Sequence, residues 1–223
     1  MAILNAVGNL VAPTAAGSAL QDARIERVIE RIKAEYRRPA NGGPNAGHER
    51  DPHAYAEFGF SIHPDQCELI YLLCRALRAR NVVEFATSIG MSTLYLAAAM
   101  RDNGGGVVIG SEIVPRKIAV AKHNLAEAGL LQFAQIREGD ARETLRDLGS
   151  DIDFVLIDGW PGGDGPSLAL QVMQVIAPQM QVGAIAMNDN CEEDYLAWIR
   201  DPRNGFRSMN LPLKGGTELS VKV

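Results

Sequence analysis

Four acidic residues follow or close short apolar runs in this chain. Glu84 sits in Val82-Val83-Glu84-Phe85, and Glu112 follows Val107-Val108-Ile109-Gly110-Ser111. Asp140 comes after a third run, and Asp158 ends Val155-Leu156-Ile157-Asp158. In open α/β sheets, ligands bind in the crevice outside the carboxyl ends of the strands. Carboxylates at successive strand ends would therefore share one crevice, although each taken alone reads equally as a solvated surface charge. The turn after the first run, Ala86-Thr87-Ser88-Ile89-Gly90, is built largely of small residues, and a helix then opens with Ser92 and Thr93. Small side chains there let a ligand approach the backbone. Glu112, one strand further on, is placed to accept hydrogen bonds from ribose hydroxyls.

The ligand is not a pyrophosphate. The Gly-x-Gly-x-x-Gly fingerprint is absent, because Ala86 and Ser88 hold its first two positions and only Gly90 remains. No Gly-Lys-Ser/Thr phosphate loop occurs, and an acidic rim repels phosphate. A cationic nucleoside with free ribose hydroxyls fits better, and S-adenosyl-L-methionine is one. The absence of a Gly-x-Ser-x-Gly elbow and of zinc-ligand spacings argues against hydrolytic and zinc chemistry.

The elements that must position these residues alternate. Periodicity predicts an amphipathic helix over 20–36, with Ile25, Val28, Ile29, Ile32 and Tyr36 on one stripe, and a helix from Pro64 to about Arg80. The 20–36 stripe packs either on its own domain or on a partner chain. Strands are expected near 81–86, 107–111, 133–137, 153–158 and 182–187. Helices are expected near 91–101, 115–128, 141–147, 166–177 and 191–199. Such alternation predicts a doubly wound, mostly parallel α/β sheet. Residues 206–213 and 217–223, joined by Lys214-Gly215-Gly216, read as a closing antiparallel hairpin and bring the sheet to seven strands.

Length and charge bound the rest. With 223 residues, the chain has room for one full core. A net charge of −5 argues against a nucleic-acid groove or an anionic membrane surface. No run approaches the roughly 18 apolar residues of a membrane span. Residues 1–20 lack the basic start of a secretory signal and are expected to form an arm. Residues 37–53 read as a long loop, either lid-like or disordered. Residues 1–60 are thus an N-terminal extension to a ligand-binding domain over 61–223. Cys67, Cys74 and Cys191, odd in number and widely spaced, suit a reduced, cytoplasmic setting.

Several segments together resemble the class I S-adenosylmethionine-dependent methyltransferases, and within them the O-methyltransferases of the catechol and caffeoyl-CoA group. The resemblance spans about residues 60–223. It rests on Glu84-Phe85-Ala86-Thr87-Ser88-Ile89-Gly90, Gly110-Ser111-Glu112, Glu138-Gly139-Asp140-Ala141, Val155 to Trp160 and Asn188-Asp189-Asn190. It implies a Rossmann-like fold, a homodimer, and methyl transfer to a hydroxyl of a small molecule such as a phenol, a catechol or a natural-product intermediate. Glu84 and the turn carrying Ala86, Ser88 and Gly90 would hold the amino-acid end of the cofactor, with Ser92 assisting. Glu112 would take the ribose, Asp140 and Ala141 would border the adenine, and Asp158 would sit beside the methyl group.

The resemblance also implies a divalent cation, Mg²⁺ or Ca²⁺, on Asp158, Asp189 and Asn190. Metal-dependent members carry a Lys three residues after the first of these acids, and Pro161 stands there instead, followed by Gly162-Gly163-Asp164-Gly165-Pro166. Asp189 and Asn190 therefore have a second reading, as substrate contacts or caps of the next helix. His63, before the Pro64 helix, is a candidate base or a plain helix-start residue. His48 and His53 are weaker candidates, and His123 reads as solvated. Trp160 either walls the acceptor pocket or packs at its edge. Two rival functions stand beside the transferase: a nicotinamide-dependent reductase, disfavoured by the missing glycines, and a non-catalytic nucleoside-binding or partner subunit.

Overall fold

The computed structural model describes residues 3–4, 10–11, 18–36, 39–40, 51–149, 151–160 and 165–223. His48, Pro161, residues 162–164 and most of the 37–53 loop lie outside the described residues. Two short strands, β1 (Ile3–Leu4) and β2 (Leu10–Val11), pair antiparallel. The main body then runs α1 (Ala23–Glu35), α2 (Pro64–Leu77), β3 (Asn81–Phe85), α3 (Met91–Asp102), β4 (Val107–Glu112) and α4 (Pro115–Ala128). It continues with β5 (Ala134–Glu138), α5 (Ala141–Thr144), β6 (Ile152–Ile157), α6 (Leu168–Ile176), β7 (Met180–Asn188), α7 (Glu193–Ile199), β8 (Phe206–Leu211) and β9 (Thr217–Lys222). The sheet order is β5-β4-β3-β6-β7-β9-β8. β3 to β7 pair in parallel, β9 is antiparallel to β7, and β8 is antiparallel to β9. This is the doubly wound, mostly parallel seven-stranded sheet with the expected closing hairpin.

Alternation along the strands supplies two cores. Val82, Phe154 and Leu156 face α1 to α4, while Val83, Phe85, Val155 and Ile157 face α5 to α7. The α1 stripe of Ile25, Val28, Ile29 and Ile32 is buried in the first core, against α3 and α4. Arg31 reinforces the contact through Asn124 at 2.8 Å and Glu127 at 2.7 Å. Of the two readings of this stripe, it packs on its own domain and leaves no apolar face for a partner chain.

Helix α5 is shorter than the expected 141–147. Side chains take its last carbonyls: Arg137 donates to the Thr144 oxygen at 2.7 Å and Gln179 to the Leu145 oxygen at 3.1 Å. Parallel register sets the strand ends side by side. Phe85 pairs with Ile157, and Ile157 with Asn188. The residues that follow, Ala86, Asp158 and Asp189, therefore emerge along one edge of the sheet.

Candidate cofactor and acceptor site

The turn after β3 takes left-handed backbone at three positions, only one of them a glycine. Ala86, Ser88 and Gly90 have φ values of +68°, +49° and +88°. Two of these three left-handed residues carry a Cβ, which costs roughly 1–2 kcal/mol each. Three hydroxyls and one carboxylate hold the turn. Glu84 accepts hydrogen bonds from Thr87 Oγ1 at 2.9 Å, Ser92 Oγ at 2.5 Å and Thr93 Oγ1 at 2.7 Å. Burial pushes the Glu84 carboxyl above its ordinary range, and the same three hydroxyls oppose that shift. Glu84 is 0% exposed, so it does not stand on the crevice rim with the other strand-end acids as expected. Its oxygens and the Ser92 hydroxyl are bonded to one another beneath the turn and shape the 86–90 backbone.

Glu112 does sit at the crevice. One carboxylate oxygen accepts from the Ser88 amide at 2.7 Å, and the other from the Ile113 and Val114 amides at 2.9 Å each. These bonds fix the carboxylate against the turn. The oxygen bound by Ser88 keeps a second lone-pair direction with which to meet a ribose hydroxyl. Lys117, buried on α4, faces Glu112; burial lowers its pKa and the Glu112 charge opposes that. Its ammonium lies 4.8 Å from the Phe60 ring centre and 5.9 Å from that of Trp160.

An aromatic wall closes the mouth. Trp160 packs against Tyr55 at 5.4 Å and edge-on against Phe60 at 5.7 Å. The Phe60 amide donates to Ser88 Oγ at 3.3 Å, which seats residues preceding α2 over the turn. Trp160 is thus both packed edge aromatic and part of the wall. Gly159 is obligatory beside it, because a Cβ there would lie 1.6 Å from the Phe85 ring.

The second half of the site joins the ends of β6 and β7. Asp189 is buried, with one oxygen accepting from Gln66 Nε2 at 2.6 Å and the other ion-paired with Lys214. The Lys214 ammonium also lies 3.4 Å from Asn190 Oδ1. Asn190 Nδ2 reaches back to the Gly159 carbonyl at 3.4 Å, tying β7 to β6. Burial and the facing Asp189 carboxylate push Asp158 well above the usual carboxylate range, and Lys214 pulls the other way. Asp158, Asp189 and Asn190 thus converge as expected, but the last two are turned on an ammonium. With that ammonium in place the set does not fit a divalent cation.

The capping alternative fails too. The N-cap of α7 is Glu192, which makes no side-chain cap bond. Asn188 braces the turn instead, accepting from the Cys191 amide at 2.5 Å and donating to Glu192 at 3.0 Å.

Other sequence candidates fall outside this cluster. His63 is the N-cap of α2: Nδ1 accepts from the Asp65 amide at 3.3 Å, while its own amide donates to Gln66 Oε1 at 2.7 Å. Its imidazole acts as a helix cap. Asp140 caps α5 and is paired with Arg142 at 2.5 Å, which lowers its pKa, and Ala141 beside it is buried. His123 is exposed and pairs with Glu127 at 3.7 Å. His53 lies in a short 3-10 turn, Pro52–Tyr55.

Sequence reasoning missed Gln66, Lys117 and Lys214. A signal existed for Lys214 alone. A strand antiparallel to β7 must begin beside the end of β7, so the hairpin turn falls next to Asp189.

Residues 83–191 match a family described as a methyltransferase domain. A catechol O-methyltransferase of Niastella koreensis is 34% identical over 102 residues, which is 44% of this chain and 45% of that protein. A catechol O-methyltransferase of Mycobacterium tuberculosis is 34% identical over 99 residues, 44% of each chain. The matched stretch thus spans about half the length of these curated relatives. The crystal structure of an O-methyltransferase from Bacillus cereus in complex with SAH superposes with a TM-score of 0.66 at 19% identity, covering 91% of this chain and 92% of that one. Residues 83–191 thus resemble a methyltransferase domain, and the chain has the Rossmann-like fold of the O-methyltransferase structure on which it superposes.

Proposed function

We propose that this chain is an S-adenosyl-L-methionine-dependent O-methyltransferase acting on a hydroxyl of a small molecule of the phenol or catechol type. The observation that carries the reading is the coupling of the left-handed 86–90 turn to Glu112 through the Ser88 amide. That pairing offers a closely approachable backbone and a fixed acceptor for ribose hydroxyls. Both catechol-named relatives and the SAH-bound neighbour support the same ligand and acceptor class.

The cofactor supplies a methyl group on a positively charged sulfur. The acceptor oxygen would take that methyl, the S–C bond pair would stay on sulfur as a thioether, and the hydroxyl proton would pass to water. The protein's part is alignment, which can contribute several kcal/mol when the reacting atoms are held near contact. Glu112 and the turn would fix the nucleoside. Trp160, Phe60 and Tyr55 would flank a planar acceptor, and Asp158 would face the reacting atoms. Residues 61–223 would form the cofactor-binding domain, with α1 as an integral brace.

Free, buried Cys67 and Cys74, whose thiols burial pushes up in pKa, support a reduced cytoplasmic setting. A homodimer, if the chain forms one, would use a face other than the α1 stripe. No helix among the described residues is long and apolar enough to cross a membrane.

The test is calorimetric titration with S-adenosylhomocysteine, followed by methyl transfer to catechol. Micromolar binding that falls at least tenfold in Glu112→Ala supports the reading. Absence of binding to the wild-type protein sinks it.

A further inference from the structure

We propose that Lys214 is the resident cation of the acceptor site, its ammonium standing where a divalent metal ion would otherwise sit and holding the acceptor's oxygen by a hydrogen bond. The inference rests on the methyltransferase reading and extends it to a specific acceptor contact.

Three observations carry it. The first is delivery. Lys214 is held at the tip of the β8–β9 hairpin at φ +55°, followed by Gly215 at +93° and Gly216 at +148°. Gly216 donates to the Leu213 carbonyl at 2.8 Å and closes the turn. The pairing of Asn188 with Glu218 fixes that turn beside the end of β7.

The second is reception. The Asp189 carboxylate that receives Lys214 is locked from behind by Gln66, which also donates to Thr217 Oγ1 at 2.8 Å. Gln66 is wholly buried, and its Oε1 is held by the His63 amide. Asp189 is therefore aimed at Lys214 by α2, β7 and the first residue of β9 together.

The third is valence. A lysine ammonium has three N–H donors in tetrahedral array. Among the described residues, one goes to Asp189 and one toward Asn190. The Lys214 side chain keeps 30% of its surface exposed, so the remaining donor is reachable by a ligand oxygen. A hydroxyl or phenolate held there would lie between Asn190, Asp158 and the aromatic wall.

Charge decides between the occupants. Asp158, Asp189 and Asn190 present hard oxygens of the kind that suit Mg²⁺ or Ca²⁺. With Lys214 inserted, a dication would face an ammonium within contact distance of its own ligands. Like charges at such separations repel strongly in a partly buried site. The ammonium and the metal exclude each other.

The experiment uses chelator-treated full-length protein and Mn²⁺ as probe, read by electron paramagnetic resonance without turnover. The wild type should take up no Mn²⁺ at this site. Lys214→Ala should gain a site at least tenfold tighter than any wild-type binding, and Lys214→Ala/Asp189→Asn should lose it. Circular dichroism checks folding, and Lys214→Met serves where Lys214→Ala does not fold. In the transfer assay, wild-type activity should survive chelation. Lys214→Met should raise the catechol KM about ten- to a hundredfold, the worth of a charged hydrogen bond, with S-adenosylhomocysteine affinity unchanged.

Wild-type Mn²⁺ binding equal to that of the variant, failure of both Lys214 variants to gain a site, or activity that requires added Mg²⁺ would each overturn the proposal. Failure of the methyltransferase reading shows separately, as absent S-adenosylhomocysteine binding, and leaves the Mn²⁺ result interpretable.

Discussion

Glu84 shows how one buried carboxylate can organise a turn from beneath. Fully buried, it gathers the hydroxyls of Thr87, Ser92 and Thr93 and thereby holds Ala86 and Ser88 in left-handed backbone. Its pKa is raised from the ordinary 4.5, chiefly by burial. A carboxyl whose folded-state pKa is raised binds protons more readily folded than unfolded, so stability falls as pH rises from the unfolded value through the folded one. Glu84→Gln removes that titration while keeping an acceptor oxygen. The denaturation midpoint of Glu84→Gln relative to wild type should therefore increase between pH 4.5 and neutrality, measured by urea titration across that range. A difference that stays flat with pH would mean that the hydroxyls fully offset the burial.

The residues also show where sequence reading reaches its limit. Strand-end position placed Glu112 and Asp158 at the carboxyl edge of the sheet, because a carboxylate after an apolar run is a local pattern, whereas Asp189 came only from the family resemblance. The same pattern misplaced Glu84, because facing inward or outward depends on which hydroxyls the following helix brings beneath it. Lys214 and Gln66 escaped because their meaning lies in contacts spanning 25 and 123 residues of sequence.

At the scale of elements, periodicity was the reliable guide. The α4 span of 115–128 and the strand starting at Asn81 emerge as the pattern predicts, since α4 buries one face against the sheet and β3 buries both faces between the two helical layers. Periodicity could not say what the α1 stripe would pack on, because an apolar face fits its own core and a partner equally. In the structure Asp22 caps α1 through the Arg24 and Ile25 amides and pairs with Arg101 at 2.6 Å. Ile25, Val28, Ile29 and Ile32 are then all buried. Ile32→Ala should cost about 2–5 kcal/mol of stability, the usual range for emptying a close-packed isoleucine site, with the oligomeric state unchanged. Chemical denaturation and light scattering on the same variant check both halves. A change in mass with little loss of stability would return the stripe to a partner chain.

Taken whole, the molecule is a sheet whose parallel half would carry the proposed nucleoside site and whose antiparallel hairpin would border the proposed acceptor side. The 86–90 turn and Glu112 belong to β3 and β4, while Lys214 comes from the β8–β9 turn across β6 and β7. Glu218, fully buried on β9, accepts from Arg200 Nε and Nη2 at 2.6 Å each, so the hairpin is anchored to the end of α7. A ligand spanning from Glu112 to Asp158 would bridge elements that otherwise meet mainly through β3 and β6. Binding to the folded state alone stabilises it by about 2.7 kcal/mol at a ligand concentration of roughly 100 times Kd. For a domain of this size each kcal/mol raises Tm by about 2–4 °C. Saturating S-adenosylhomocysteine should therefore raise Tm by about 5–11 °C in scanning calorimetry. Glu112→Ala should lose most of that rise, because the carboxylate that fixes both the turn and the ribose is gone. Lys214→Met should keep it, since its ammonium serves the acceptor and not the nucleoside. A rise lost equally in both variants would mean that the two halves of the crevice act as one binding unit rather than as separate stations for donor and acceptor.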